Sequence, residues 1–396
     1  MFARAQLDWG ANVNLGRNCL VALGLAVVAT SNVETTRAAT LADTAQVIVT
    51  SLASAPECAG AAVAIAFSGK AGAGQVFSGT VSYASGVRRP ADANTIFYLG
   101  SVTKTFTAFL LAEAVAQRLV KPEDPAINYL PNGTMLPSFQ QGGRNFPVRL
   151  IDLATHTSGL PRDLPDMTYP FSTAQMYAGL AKISLASQPG TAWSYSNLGF
   201  ALLAEAMQGV FKASYDKLLA DNIAIPLGMA HTRLVSDTSD GAEIPIGYGP
   251  KGGKAPLNNS TWPAFNGAGA IRASLTDMSK YLSFAMTGSG NGHLAQLRPI
   301  LFDWHSFARQ EGGGNIEQGL AWQRETPFGN GVDVVWKDGE VPGFAAFIAY
   351  SEKLGEGAVV LSNRQTCKVG RAALCVLRAA GELNGTRATR GPSCAF

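Results

Sequence analysis

Two residues that could do covalent chemistry, Ser101 and Lys104, lie three positions apart where a helix is predicted to begin. Apolar residues at helical spacing follow from Leu110 to Val115, so both side chains are expected on one face of that helix. A serine hydroxyl becomes an effective nucleophile when a neighbouring base removes its proton. A lysine can be that base if burial or a second cation lowers its pKa. The pair therefore indicates nucleophilic catalysis, provided that the rest of the chain supplies partners.

The Ser-x-x-Lys spacing alone is not specific, because Ser214 and Lys217 repeat it. We interpret the second pair as a helix start followed by a solvated lysine. Ser101 could likewise be the N-cap of its helix, since serine is among the preferred residues there. The choice between nucleophile and cap depends on the remaining stretches.

Two further stretches carry suitable groups. In residues 190–197, Tyr195 stands two positions before Asn197. A tyrosine can shuttle a proton, and an asparagine can hold a substrate carbonyl and steady a lysine. Residues 336–344 lie at the end of a predicted strand and contain Lys337 followed two positions later by a glycine. A strand edge there can donate a backbone N–H to an oxyanion and let a substrate lie alongside it.

Taken together, in this order and spacing, the three stretches resemble the serine β-lactamase and penicillin-binding protein family, specifically its class C branch. That branch carries Ser-x-x-Lys, Tyr-x-Asn and Lys-Thr-Gly. The closest similarity is to the AmpH type, low-molecular-mass penicillin-binding proteins that act on peptidoglycan peptides as DD-carboxypeptidases or endopeptidases. The matching residues are Ser101-x-x-Lys104, Tyr195-Ser196-Asn197 and Lys337-Asp338-Gly339.

The resemblance implies a set of catalytic roles. Ser101 would attack a carbonyl and form an acyl-enzyme, while Lys104 and Tyr195 would share the general-base work. Lys337 would help to keep the pKa values of both low. The backbone N–H groups of Ser101 and Glu340 would form the oxyanion hole. No metal or organic cofactor is implied.

The resemblance also implies how the substrate is bound. Asn197 would orient the acyl amide, and the strand residues Lys337, Asp338 and Gly339 would bind the rest. The departure is Asp338, where the family usually carries a threonine or serine that helps to bind the substrate's carboxylate. An ionised aspartate should repel that group, unless a cation such as Arg364 offsets its charge.

Three functions follow from these residues. The first is a serine hydrolase that acts on β-lactams, on D-Ala-D-Ala peptidoglycan peptides, or on both. The second is a carboxylesterase with the same fold and the same chemistry on small acyl esters. The third is a non-catalytic penicillin-recognising sensor or cell-wall binding protein, which would be acylated without turnover.

Strand patterns at both ends of the chain and helical patterns between them predict an α/β (α+β) fold. The resemblance implies a β-lactamase/DD-peptidase-like fold, with an antiparallel sheet flanked by the N- and C-terminal helices and an inserted all-α domain. The sheet domain is predicted to comprise residues 39–95 and 325–396, and the mainly helical domain residues 96–324. The predicted elements are a helix over 41–52, strands over 61–67, 75–83, 332–336, 344–350 and 357–361, and a helix over 369–383.

Residues 1–38 are predicted to be a signal peptide. The uncharged block Leu20–Ala29 is too short to span a bilayer, and small residues follow at Ala38 and Ala39. No lipobox follows the block, because Cys19 precedes it. We therefore expect export to the periplasm or medium with cleavage near Ala38; a retained membrane anchor is the alternative.

Four cysteines, Cys58, Cys367, Cys375 and Cys394, follow the predicted leader and allow three pairings. An oxidising compartment predicts at least one disulfide among them. In the fold that the resemblance implies, the two terminal helices pack on the same sheet face, which favours Cys58 with Cys394 and leaves Cys367 with Cys375.

Composition and missing motifs exclude other function classes. A net charge of +3 over 396 residues, without a dense basic run, indicates no nucleic-acid partner. The chain has no Gly-x-Ser-x-Gly, Cys-x-x-Cys or His-Glu-x-x-His pattern. Oligomeric state is not predicted. Structural roles are expected for the four histidines, which are His156, His231, His293 and His305.

Overall fold

The computed structural model of the protein describes residues 40–165, 171–237, 239, 243–255, 263–288, 292–310, 313–385, 394 and 396. The predicted leader, residues 1–38, lies outside these ranges. Within them, no helix combines the length and apolar character needed to cross a bilayer.

Most strands belong to one large sheet. Along the described chain the strands are β1 (Val63–Gly69), β2 (Gly74–Ser78), β3 (Thr80–Ser82), β4 (Arg88–Pro90), β5 (Ile96–Tyr98), β6 (Phe139–Gln141), β7 (Arg144–Phe146), β8 (Ala192–Trp193), β9 (Arg233–Leu234), β10 (Ile271–Ser274), β11 (His305–Arg309), β12 (Asn315–Gln318), β13 (Gln323–Glu325), β14 (Val334–Val341), β15 (Phe344–Ser351) and β16 (Glu356–Ser362). Nine of these described strands pair in the order β2–β1–β16–β15–β14–β13–β12–β11–β8. All neighbours in this sheet are antiparallel except β8 and β11. The predicted mixed α/β class with an antiparallel sheet is confirmed.

Helices cover both sides of this sheet; the first precedes all of its strands in the sequence, the last follows them, and the others lie between. They are α1 (Leu41–Ser54), α2 (Thr103–Ala116), α3 (Leu150–Ala154), α4 (Thr173–Leu180), α5 (Asn197–Phe211), α6 (Tyr215–Leu219), α7 (Ile225–Leu227), α8 (Asn266–Gly269), α9 (Leu275–Thr287), α10 (Gly292–Ala295), α11 (Arg298–Leu301) and α12 (Val369–Leu383). The first and last were predicted from sequence as residues 41–52 and 369–383, and both are confirmed.

The central strands are buried on both faces because helices cover each side. In β1, Ile65 and Phe67 pack in the core formed with α1 and α12, whereas Ala64 and Ala66 join the larger core formed with the helices of residues 96–301. This alternation follows from the two-residue repeat of a strand. A sheet buried on both faces gives rigid support to any group that its strands carry.

The prediction of one continuous strand over residues 75–83 is wrong, because this segment forms two strands, β2 and β3. It divides at Gly79, whose φ is +90°, and a Cβ there would lie 2.3 Å from the carbonyl oxygen of Ala61. Glycine alone adopts such a backbone without strain. The first part therefore stays in the large sheet as β2, while the second pairs with β4.

The disulfide prediction is right about formation and wrong about pairing. Cys58 bonds Cys367, with Cα atoms 4.7 Å apart, and Cys375 bonds Cys394, with Cα atoms 5.8 Å apart. The terminal helices do pack together. However, Cys58 lies just after α1 and meets the segment that enters α12, whereas Cys375 lies inside α12 and meets the chain end.

Helix α2 carries the predicted nucleophile region and is buried on all sides rather than along one stripe. Phe106 stacks on Tyr281 with ring centroids 4.1 Å apart, and Phe109 packs on Phe284 at 5.0 Å. Close packing of this kind fixes the helix, so the residues at its start have defined positions.

Candidate active site

Ser101 lies on a 3₁₀ turn, Gly100–Val102, that leads directly into α2. Its hydroxyl does not cap the helix. Instead, its Oγ accepts hydrogen bonds from Lys104 Nζ at 3.0 Å and from Tyr195 Oη at 2.6 Å. Two titratable groups therefore contact the hydroxyl oxygen, and either of them, once deprotonated, can be the base that a serine nucleophile requires.

Lys104 is fully buried in the first turn of α2. Its ammonium group also donates to Asn197 Oδ1 at 2.9 Å and to the carbonyl oxygen of Ala268 at 2.6 Å. With Ser101 as the third acceptor, all three protons are used. Burial lowers the pKa of Lys104; Tyr195 opposes this effect, and the positive charge of Lys337 adds to it.

The phenol ring of Tyr195 lies among three cations. Lys104 Nζ is 5.0 Å from the ring centroid, Lys337 Nζ is 5.3 Å from it, and Arg162 Cζ is 4.8 Å from it. Burial alone would raise the pKa of Tyr195, but the charges of Lys104 and Lys337 outweigh burial and hold it below its usual value. A tyrosine with a lowered pKa releases its proton more readily, so it can accept one from a hydroxyl.

The side-chain amide of Asn197 has a defined orientation. Its Oδ1 accepts from Lys104, and its Nδ2 donates to Asp163 Oδ1 at 3.0 Å. An ammonium cannot accept and a carboxylate cannot donate, so the reversed amide would lose both bonds. The second Nδ2 proton is then available for a substrate carbonyl. Sequence reasoning missed Asp163.

His156 packs directly against Tyr195, with ring centroids 4.5 Å apart. Its Nδ1 accepts the backbone N–H of Ser196 at 3.1 Å. Burial, together with the positive charge of Lys337, lowers the pKa of His156 well below its usual value, so the ring is neutral and Nε2 holds the proton. The predicted structural role therefore fits His156, and its place behind the Tyr195 ring could not be read from sequence.

Lys337 and Asp338 form an ion pair at the edge of β14. Lys337 Nζ lies 2.9 Å from Asp338 Oδ1, and the side chains are 1% and 47% exposed. Burial would lower the pKa of Lys337, but Asp338 and Tyr195 raise it above its usual value. The prediction that Arg364 offsets the charge of Asp338 is wrong, because the guanidinium of Arg364 donates to the carbonyl oxygen of Ala59. Lys337 is nearer because it neighbours Asp338 in the strand.

The turn that carries Ser101 touches β14 backbone to backbone. A Cβ on Gly339 would lie 1.9 Å from the carbonyl oxygen of Leu99, and one on Gly100 would lie 2.5 Å from the nitrogen of Glu340. Strand β13 pairs with residues 334–336 of β14 and no further, so the following part of this edge is not covered by β13. The Ser101 turn lies against that part instead. The approach requires glycine at both positions.

The structure thus brings Ser101, Lys104, Tyr195 and Asn197 into one hydrogen-bonded group, with Lys337 beside it. The arrangement can remove a proton from a hydroxyl, which is the first step of acyl transfer. Arg162 and Asp163 were missed because the only local signal, a turn at Gly159-Leu160-Pro161, does not tell where the loop packs.

Known proteins are similar to this chain in sequence and in fold. A family model described as Beta-lactamase matches residues 45–378. The chain is 26% identical over 285 residues to D-alanyl-D-alanine-carboxypeptidase/endopeptidase AmpH of Escherichia coli (strain K12), covering 68% of this chain and 71% of that protein. It is 28% identical over 343 residues to a Beta-lactamase of Pseudomonas fluorescens, covering 78% and 89%. The structure of D-alanine Carboxypeptidase AmpC from Burkholderia cenocepacia has the same fold, with a TM-score of 0.71 at 22% identity over 86% of this chain and 99% of that one.

Proposed function

This chain is a serine hydrolase of the beta-lactamase family, and we propose that it is exported and forms an acyl-enzyme on Ser101. We propose β-lactams, D-Ala-D-Ala peptidoglycan peptides, or both as substrates, in keeping with the activities for which its relatives are named. The observation that carries the proposal is the contact of Ser101 Oγ with Lys104 Nζ at 3.0 Å and Tyr195 Oη at 2.6 Å. The predicted leader and the two disulfides support export.

In the first step, Lys104 and Tyr195 act as one proton-accepting unit, in which one group is deprotonated. The unit takes the hydroxyl proton of Ser101 while Oγ bonds to the substrate carbonyl carbon. The carbonyl oxygen becomes an oxyanion, which the backbone N–H groups of Ser101 and Glu340 stabilise. Loss of one such donor typically costs about 10²–10³ in rate.

In the second step, the tetrahedral intermediate collapses and the carbon–nitrogen bond breaks. The leaving nitrogen takes the proton from the Lys104–Tyr195 unit, and the acyl group stays on Ser101 as an ester. Asn197 holds the acyl amide through its remaining Nδ2 proton. A water molecule then repeats the sequence on the ester, which releases the acid and restores the hydroxyl of Ser101.

One observation favours a second candidate, a carboxylesterase acting on small acyl esters. Asp338 occupies the strand edge with a half-exposed carboxylate, and Lys337 is already paired with it. A substrate carboxylate that approached this edge would meet a negative charge and a cation that is already engaged. Neutral esters escape that penalty.

Intact-protein mass spectrometry with a penicillin, followed over time, tests the proposal, with Ser101→Ala as the control. We expect an added mass on the intact protein that forms and then disappears, and digestion should place it on the peptide containing Ser101. An adduct that persists would indicate a non-catalytic penicillin-recognising sensor instead. Labelling that survives Ser101→Ala would contradict the assignment of Ser101 as the nucleophile. Turnover of nitrocefin relative to 4-nitrophenyl butyrate separates the β-lactamase from the esterase.

We expect Asp338→Thr to raise the ratio of kcat/KM for nitrocefin to kcat/KM for 4-nitrophenyl butyrate by about tenfold, because a charge opposing the substrate carboxylate is removed. Asp338→Asn is the matched control, because it removes the charge without adding a hydroxyl, and it should raise the same ratio. If both substitutions lower the ratio, Asp338 contributes to β-lactam binding and the argument from repulsion is wrong.

A further inference from the structure

Two of the three cations around Tyr195 have their charges engaged within the protein. Lys104 uses all three of its protons on Ser101, Asn197 and Ala268. Lys337 is 1% exposed and bonds the carboxylate of Asp338. Lys104 therefore has no proton left for a ligand, and the charge of Lys337 is already partly offset by the carboxylate of Asp338.

Arg162 differs from both. Its side chain is 61% exposed although its guanidinium carbon lies 4.8 Å from the centre of the Tyr195 ring. Among the described residues, the ion contact of its guanidinium is to Asp163, with Nε 3.7 Å from Oδ2, which is longer than a hydrogen bond. The other carboxylate oxygen of Asp163 accepts from Asn197. The guanidinium therefore presents donors to the solvent at the mouth of the site.

The backbone fixes the side of the site on which Arg162 lies. Its carbonyl oxygen accepts the N–H groups of Asn197 at 2.8 Å and Leu198 at 3.1 Å, which ties it to the start of α5. In the proposed function, Asn197 holds the amide of the acyl group. Arg162 is thus next to the acyl portion of a substrate, whereas Asp338 belongs to the edge of β14.

We propose that Arg162 binds a carboxylate carried by the acyl portion of the substrate. The substrate class is then an acyl donor with an anionic acyl chain, as opposed to one whose negative charge lies only on the leaving group. A guanidinium suits this role because its fork of N–H groups matches both oxygens of a carboxylate. The Tyr195 ring, whose centroid lies 4.8 Å from the guanidinium carbon, adds a cation–π contact. This inference rests on the proposed function and names the substrate class of the same site.

Three chromogenic esters test it: mono(4-nitrophenyl) glutarate, with the carboxylate on the acyl chain; 4-nitrophenyl valerate, which is neutral; and 3-carboxy-4-nitrophenyl valerate, with the carboxylate on the leaving group. We expect Arg162→Gln to lower the glutarate-to-valerate ratio of kcat/KM by about tenfold or more. Arg162→Lys should restore part of that ratio. Arg378→Gln, which removes an equal charge from α12, is the matched control and should leave the ratio at the wild-type value.

The outcomes separate the two proposals. If Arg162→Gln leaves the glutarate-to-valerate ratio unchanged while valerate is hydrolysed, Arg162 does not bind the acyl carboxylate. The ratio of kcat/KM for 3-carboxy-4-nitrophenyl valerate to that for 4-nitrophenyl valerate is the second readout. If Arg162→Gln lowers this ratio equally, the arginine attracts any anionic substrate without binding the acyl carboxylate, and the inference is also wrong. If the wild-type protein hydrolyses none of the esters and forms no adduct with a penicillin, the proposed function itself fails.

Discussion

Replacing Lys104 with alanine, or Tyr195 with phenylalanine, is expected to slow acylation of Ser101 by about 10³-fold, the usual scale for loss of a general base. Both groups contact Ser101 Oγ, and their charges are coupled, since Lys104 lowers the pKa of Tyr195 while Tyr195 raises the pKa of Lys104. Groups that act as one unit give losses that do not multiply. The double variant should therefore acylate little more slowly than the slower single variant.

The measurement is the rate of adduct formation with a fluorescent penicillin, followed from low to high pH. Since the base works in its deprotonated form, the rate should fall as pH drops through the pKa of the unit. That limb should lie below about pH 10, the ordinary value for a tyrosine, because both pKa values are lowered.

Lys217→Ala is the matched control, because Lys217 belongs to the second Ser-x-x-Lys pair. Its side chain is 64% exposed and bonds Asp221 at 2.6 Å, so its loss should change neither rate nor fold. Lys104→Ala leaves two buried acceptors without a donor, and a thermal unfolding curve must show that this variant is folded. Losses that multiply in the double variant would mean that the two residues act independently.

The contrast between Lys104 and Lys217 shows what the sequence can and cannot predict. The tetrads are identical in pattern, yet one lysine is buried and the other is solvated. The sequence distinguished the two pairs because Ser101 and Lys104 form a three-part pattern with the later stretches that contain Tyr195, Asn197 and Lys337. The resemblance of this pattern to the class C branch implied that these residues contact one another.

Features that depend on tertiary packing could not be predicted. Arg162 and Asp163 reach the site because their loop folds against the start of α5, over 30 residues later in the chain. The pairing of Cys58 with Cys367 depends on where α1 ends relative to the segment entering α12. The terminal helices were recovered, since they follow from local periodicity. The strands were recovered less well, because Gly79 divides one of them, β14 continues beyond its predicted end to Val341, and β11, β12 and β13 were not predicted.

Gly339→Ala is expected to lower kcat by about 10² or more and to destabilise the fold by about 1–3 kcal/mol. The added Cβ would lie 1.9 Å from the carbonyl oxygen of Leu99, 2.8 Å from the nitrogen of Val102 and 3.0 Å from that of Ser101. These are backbone atoms, which cannot rotate away as a side chain does. The strand and the nucleophile turn must separate, and this would move apart the N–H groups of Ser101 and Glu340 that we propose as the oxyanion hole.

Gly357→Ala separates the loss of the oxyanion site from simple overpacking. Gly357 lies in β16 of the same sheet, where a Cβ would be 2.6 Å from Met286 Sδ and 2.8 Å from Leu282 Cδ1, both side-chain atoms. This variant should also be destabilised, while its kcat for 4-nitrophenyl butyrate stays within a few-fold of the wild-type value because the clash is not at the turn. Unfolding free energies and kcat are measured for both variants at a temperature where each is folded. If Gly339→Ala keeps wild-type kcat, or if Gly357→Ala loses as much as Gly339→Ala, the contact between β14 and the Ser101 turn does not set the geometry of the oxyanion hole.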